Sequence, residues 1–126
     1  MQEIILSSGN KLGIQTPKFG LCQELIRAAC RELKKDGLHF DITTMKEGEA
    51  LSIFLSLMGS KELDDCFWAI ANTCLYNGER VLPNLFDDRE EAREDYFEIQ
   101  LEIIRACLKP FGKSLPIMLK NLGVME

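Results

Sequence analysis

From Phe19 to Lys35 the apolar residues Cys22, Leu25, Ile26, Ala29, Cys30 and Leu33 recur at intervals of three and four. Such a stripe commits this part of the chain to an amphipathic helix that must bury one side. Gly37 is placed to end it. The period returns after Ser60, a good N-cap, where Leu63, Cys66, Phe67, Ile70, Ala71 and Cys74 form an inner stripe with Asp64 and Asp65 facing out. Between the two, Leu38 to Thr44 reads as a link, and the run Ala50 to Met58 is apolar nearly all round, as in a helix buried on several sides. Asn77-Gly78 stops the next helix or makes a tight turn, and Leu82-Pro83-Asn84 continues as loop. Asp87 then caps the longest helix, which runs to about Leu108 and starts with acids where the helix dipole favours them. Lys109-Pro110-Phe111-Gly112 terminates it, and Ser114 caps a final short helix to about Asn121.

Ahead of the helices, Glu3 to Ser7 is short and β-branched, Ser8-Gly9-Asn10 supplies turn chemistry, and Lys11 to Gln15 alternates. This predicts a β-hairpin ended by Thr16-Pro17. A lone hairpin is marginal in water, so its apolar face needs a helix or a partner strand. The expected fold is mainly α: an N-terminal β-hairpin, about 3–15, packed on a small bundle of about four to five helices, about 19–122. One domain, 1–126, suits a chain of 126 residues.

The totals narrow the function. An apolar fraction of 46% and a charged fraction of 28% are those of a globular protein. A net charge of -5 gives no general support for phosphate neutralisation, so nucleic acid is not an expected partner. Lys34-Lys35 reads as a helix C-terminus charged favourably against its dipole. Five cysteines set among apolar residues read as small buried hydrophobes of a reducing compartment. Met1-Gln2-Glu3 lacks a secretory start, and no window approaches a bilayer-spanning length, so the expectation is a cytoplasmic protein without a membrane partner.

No pattern of catalysis stands out. Cys22 and Cys30, like Cys66 and Cys74, lie eight residues apart, a spacing that suits packing rather than the short loops that converge on zinc. His39, the only histidine, would have to be recruited from a link segment to serve a cysteine nucleophile. Gly112-Lys113-Ser114 matches only the tail of a phosphate loop. The acids from Asp87 to Asp95 are interleaved with Arg89 and Arg93 and read as a solvated helix face. No catalytic, cofactor or metal site is expected.

The helix that follows carries apolar residues on more than one side. Phe97, Leu101, Ile104 and Leu108 define one face; Tyr96, Ile99 and Ile103 define another. One joins the core, and the second is covered by another part of the fold or by another chain. Tyr96, Ile99 and Ile103 are the candidate partner-binding face, with self-association as one form of it.

The order of elements resembles the tail assembly chaperones of long-tailed bacteriophages and their prophage relatives. The resemblance rests on the hairpin Ile4 to Leu12 leading into Thr16-Pro17-Lys18-Phe19-Gly20, on helices rich in short apolar residues, and on the segment Tyr96 to Phe111 ending in Lys109-Pro110-Phe111. It is a match of layout, without a diagnostic motif. It implies a non-enzymatic protein of the bacterial host's cytoplasm that binds the tape measure and tail tube proteins and is absent from the finished virion. It also implies a longer product made by ribosomal frameshifting, for which codons at Lys120-Asn121 or Leu108-Lys109 are able to supply a slippery site. The rival reading is a small DNA-binding or antirepressor-type regulator using the helix from Phe19 to Lys35, where Arg27, Arg31, Lys34 and Lys35 are accompanied by Glu24, Glu32 and Asp36.

Overall fold

The structure, a computed structural model, describes residues 1–35 and 59–109. The expected link at Leu38 to Thr44 with His39, the apolar helix at Ala50 to Met58, the stop at Gly37 and the final helix from Ser114 lie outside them. The described residues form strands β1 (Gln2–Ile5) and β2 (Lys11–Ile14), helices α1 (Phe19–Lys35) and α2 (Lys61–Ala71), strands β3 (Leu75–Tyr76) and β4 (Glu79–Arg80), and helices α3 (Pro83–Asp88) and α4 (Glu90–Leu108). The chain is mainly helical with an N-terminal hairpin, as the periodicity predicts.

The amino-terminal hairpin does not stand alone. Its second strand pairs with β3, giving an antiparallel four-stranded sheet in the order β1-β2-β3-β4. Leu12 faces Tyr76 and Gly13 faces Leu75, so the turn expected at Asn77-Gly78 is the tip of a second hairpin. Its geometry follows from residue choice: Asn77 and Gly78 both take positive φ, 48° and 86°, the pairing that the twist of a two-residue hairpin turn demands. Asn77 also ties the two hairpins together. Its side-chain Oδ1 accepts the Lys11 N–H at 2.9 Å, and its side-chain Nδ2 donates to Asn10 Oδ1 at 3.0 Å.

Two helical boundaries differ from the sequence reading. Cys74 lies beyond α2, because the helix ends at Ala71 with the Asn72 N–H bonded back to the carbonyls of Trp68 and Ile70. Leu82-Pro83-Asn84 is not loop but the start of α3, with Pro83 in the first turn, where a missing N–H costs no hydrogen bond. Arg89, extended at φ -124° and ψ 112°, separates α3 from α4, so the expected long helix starts at Glu90 and its cap position is Arg89 rather than Asp87, which lies inside α3. The Ser60 cap is as expected: its hydroxyl accepts the Leu63 N–H at 3.5 Å and donates to Glu32 at 3.1 Å, tying the start of α2 to α1.

Side chains from every helix and from the strands close on one core. Leu12 and Ile14 of β2, Leu25 and Ile26 of α1, Leu63, Phe67 and Ile70 of α2, Val81, Leu85 of α3, and Ile99, Ile103 and Ile104 of α4 are all buried in it. Burial of a large apolar side chain stabilises by about 1.5–3 kcal/mol, so this cluster is the main source of the fold's stability.

Candidate functional site

On α4 the sequence reading exchanged inside and outside in part. Ile99 and Ile103, offered as a partner-binding face, are each 0% exposed and pack in the core, whereas Phe97, assigned to the core face, is 63% exposed. The reason is angular. The buried stripe of α4 runs through Ala92, Asp95, Ile99, Ile103 and Cys107, and Phe97 lies two residues from Ile99, about 200° around the helix. Ile104 and Leu108 flank that stripe and are buried as expected. Of the three candidate residues only Tyr96 reaches a surface feature.

That feature is a shallow groove between α2, α3 and α4, with a volume of about 390 Å³, lined by Trp68, Pro83, Phe86, Asp87, Arg93 and Tyr96. Three half-buried aromatic rings make its floor. Phe86 and Tyr96 meet edge-to-face with centroids 4.9 Å apart, Trp68 and Phe86 do so at 6.0 Å, and Trp68 stacks near Tyr96 at 6.5 Å. These are favourable aromatic geometries, so the rings hold one another and present a preformed apolar surface. Phe67, edge-on to Trp68 at 5.2 Å, anchors the cluster to the core.

Polar groups border the floor. The Arg93 guanidinium donates from Nε to the Phe86 carbonyl and from Nη2 to the Asp87 carbonyl at 3.3 Å, caring for the last turn of α3. The Asp87 and Asp64 carboxylates have no hydrogen-bond or ion-pair partner among the described residues. Asp64 stands one turn before Trp68 on α2. Burial pushes the Tyr96 hydroxyl above its ordinary range, and the Asp64 charge adds to the shift.

The acidic run is not uniformly a solvated face. Arg89 pairs with Glu79 and Glu91 at the surface, but Asp95 is 4% exposed and receives three hydrogen bonds on one oxygen. Tyr76 Oη donates at 2.7 Å, Ser8 Oγ at 2.8 Å and Asn10 Nδ2 at 2.9 Å. Beside it, Glu98 accepts from the Ser7 hydroxyl at 2.6 Å. Burial pushes the Asp95 carboxyl up, but the bonds from Asn10, Tyr76 and Ser8 together outweigh it and hold the group below the ordinary carboxylate range. This knot fixes the hairpin tip to α4.

Cys22, Cys30, Cys74 and Cys107 are buried and Cys66 is half-buried. Cys107 is held well above the ordinary thiol range by the neighbouring Cys22 thiol and by burial. Burial raises Cys66 and Cys74 as well. Among the described residues no group of three histidine, cysteine or acidic side chains is disposed to hold a metal ion, and no helix is long and apolar enough to cross a membrane. On α1, Arg31 is engaged by Glu24 at 2.8 Å and by Glu62 of α2.

Sequence reasoning missed Trp68, Phe86 and Pro83 as a unit. The signal lay in Leu82-Pro83-Asn84-Leu85-Phe86, where proline opens a helix and sets Phe86 one turn later. No family model, curated protein or solved structure matches this chain.

Proposed function

We propose that this protein is a non-enzymatic binding protein of phage tail assembly, a chaperone that engages the tape measure and tail tube proteins in the bacterial cytoplasm and leaves before the virion is complete. The observation that supports a binding role is the groove of Trp68, Phe86 and Tyr96, an aromatic surface open to solvent beside the core. The tail-assembly assignment rests on the layout of the chain: the short hairpin, the Thr16-Pro17 junction and the late segment from Tyr96.

Co-expression of the full chain with the tape measure and tail tube proteins encoded beside it, followed by affinity capture, tests the assignment. Retention of either protein through gel filtration is the expected result. Capture of neither, with all three soluble, overturns it. A slippery heptamer at Lys120-Asn121 or Leu108-Lys109, with an open minus-one frame, is the genetic counterpart.

A further inference from the structure

We infer that the Trp68–Phe86–Tyr96 groove takes an extended peptide segment of a partner protein in which a lysine or arginine stands beside an apolar side chain. The inference rests on the binding role proposed above and adds the chemistry of what is bound.

The first ground is shape. A groove of about 390 Å³ lies at the low end of ligand clefts, about 300–1,000 Å³, and is open to solvent, which suits one or two side chains of a passing chain rather than an enclosed small molecule. Grooves lined by aromatic rings are surfaces on which extended peptides dock.

The second ground is charge. From Asp87 to Asp95 the chain has six acids against the two arginines Arg89 and Arg93, and the first of these acids, Asp87, lies on the groove's lining. Both arginines are engaged, Arg89 by Glu79 and Glu91 and Arg93 by the carbonyls at the end of α3. Asp87 stands on the lining and the Asp64 charge reaches the Tyr96 hydroxyl, and neither carboxylate has a hydrogen-bond or ion-pair partner among the described residues, so acidic groups stand beside three aromatic rings. A guanidinium or ammonium group is the ligand that satisfies both, by ion pairing with Asp64 or Asp87 and by cation–π contact with Trp68 or Tyr96. The apolar neighbour fills the floor. An acidic segment would meet repulsion from Asp87 and Asp64.

Trp68 is the only tryptophan in the chain, so its emission reports the groove directly. The probes are three acetylated and amidated hexapeptides of leucine and serine, identical except for a central arginine, citrulline or glutamate. The arginine peptide is expected to change Trp68 emission saturably and to bind at least about fivefold more tightly than the citrulline peptide, the scale of one exposed ion pair. That preference should fall in Asp64→Asn and Asp87→Asn proteins and with added salt. Emission unchanged by any peptide, or an equal response to arginine and glutamate, overturns the inference. Concentration-dependent emission without peptide, with a doubled mass by light scattering, identifies a second copy as occupant and overturns it too. Capture of the tail proteins by wild type and by a variant carrying both Asp64→Asn and Asp87→Asn alike leaves the tail-assembly role standing while the groove's part in it fails. Arginine-peptide binding without capture has the reverse meaning.

Discussion

The Tyr76 hydroxyl donates to Asp95 Oδ2 at 2.7 Å, and through this bond the middle of the sheet is fastened to helix α4 at a site sealed from solvent. Tyr76 is raised by burial and by that donation, while Asp95 is lowered, so the pair favours phenol as donor and carboxylate as acceptor. The knot has the chemistry of a strong charge-assisted network and needs no external ion.

Asp95→Ala removes the shared acceptor of Tyr76, Ser8 and Asn10 and leaves a buried phenol without a partner. A loss of about 3 kcal/mol is expected, and Asp95→Asn, which keeps one accepting oxygen, should lose about half as much. Urea unfolding followed by circular dichroism measures both. Because the folded carboxyl sits below its unfolded value of about 3.9, its contribution is present above that pH and disappears as pH falls through the lower folded value. The gap between wild type and Asp95→Asn should therefore narrow below about pH 4. A gap that stays constant down to about pH 2 would contradict the assignment.

Gly78 at φ 86° has no atom within 4 Å of where a Cβ would stand, so Gly78→Ala meets no clash and its cost is purely conformational. About 1 kcal/mol of stability should be lost. A larger loss, read from the same urea curves, would mean that the turn has a packing role.

Ile103→Glu places a charge in the core and should abolish cooperative unfolding, with a loss above about 4 kcal/mol. Phe97→Glu, on the opposite side of α4, should leave the circular dichroism spectrum intact. If the two variants behave alike, the helix is rotated from the orientation described.

Cys66 is the one half-buried cysteine, the other four being buried. Iodoacetamide at about pH 8 should alkylate it first, and slowly, since burial and the charges of Glu24 and Glu62 hold its thiol up. Peptide mapping identifies the adduct; a first adduct at Cys22 or Cys107 would show that α1 and α4 open readily.

Periodicity reveals elements better than it reveals which side of them is covered. The stripe of α1, the Ser60 cap and the turn at Asn77-Gly78 are legible because each depends on local chemistry. Strands β3 and β4, two residues each, have no alternation to detect and exist because β2 offers an open edge. The rotation of α4 was misread because seven large apolar residues from Tyr96 to Leu108 support two stripes equally, and only the position of β2, α1 and α2 decides between them. Asp95 was grouped with exposed acids for lack of any local sign that Ser8, Asn10 and Tyr76 converge on it. The groove, too, is assembled from three helices, and Phe67-Trp68 by itself marks core as readily as surface.

Ser8 and Asn10 meet Asp95 across 87 and 85 residues of chain. As the polypeptide emerges from a ribosome, the first hairpin is delivered long before the helix that receives it, and its partner strand β3 follows only slightly earlier than that helix. Ile4, Leu6, Leu12 and Ile14 are thus made well before the strand and the helix that meet β2 in the fold. Closing so long a loop delays the reward for every contact it makes, so native structure should arrive as a late, concerted step rather than accumulate from the amino terminus. Until α4 is out of the exit tunnel the nascent chain is a client for holding factors and proteases.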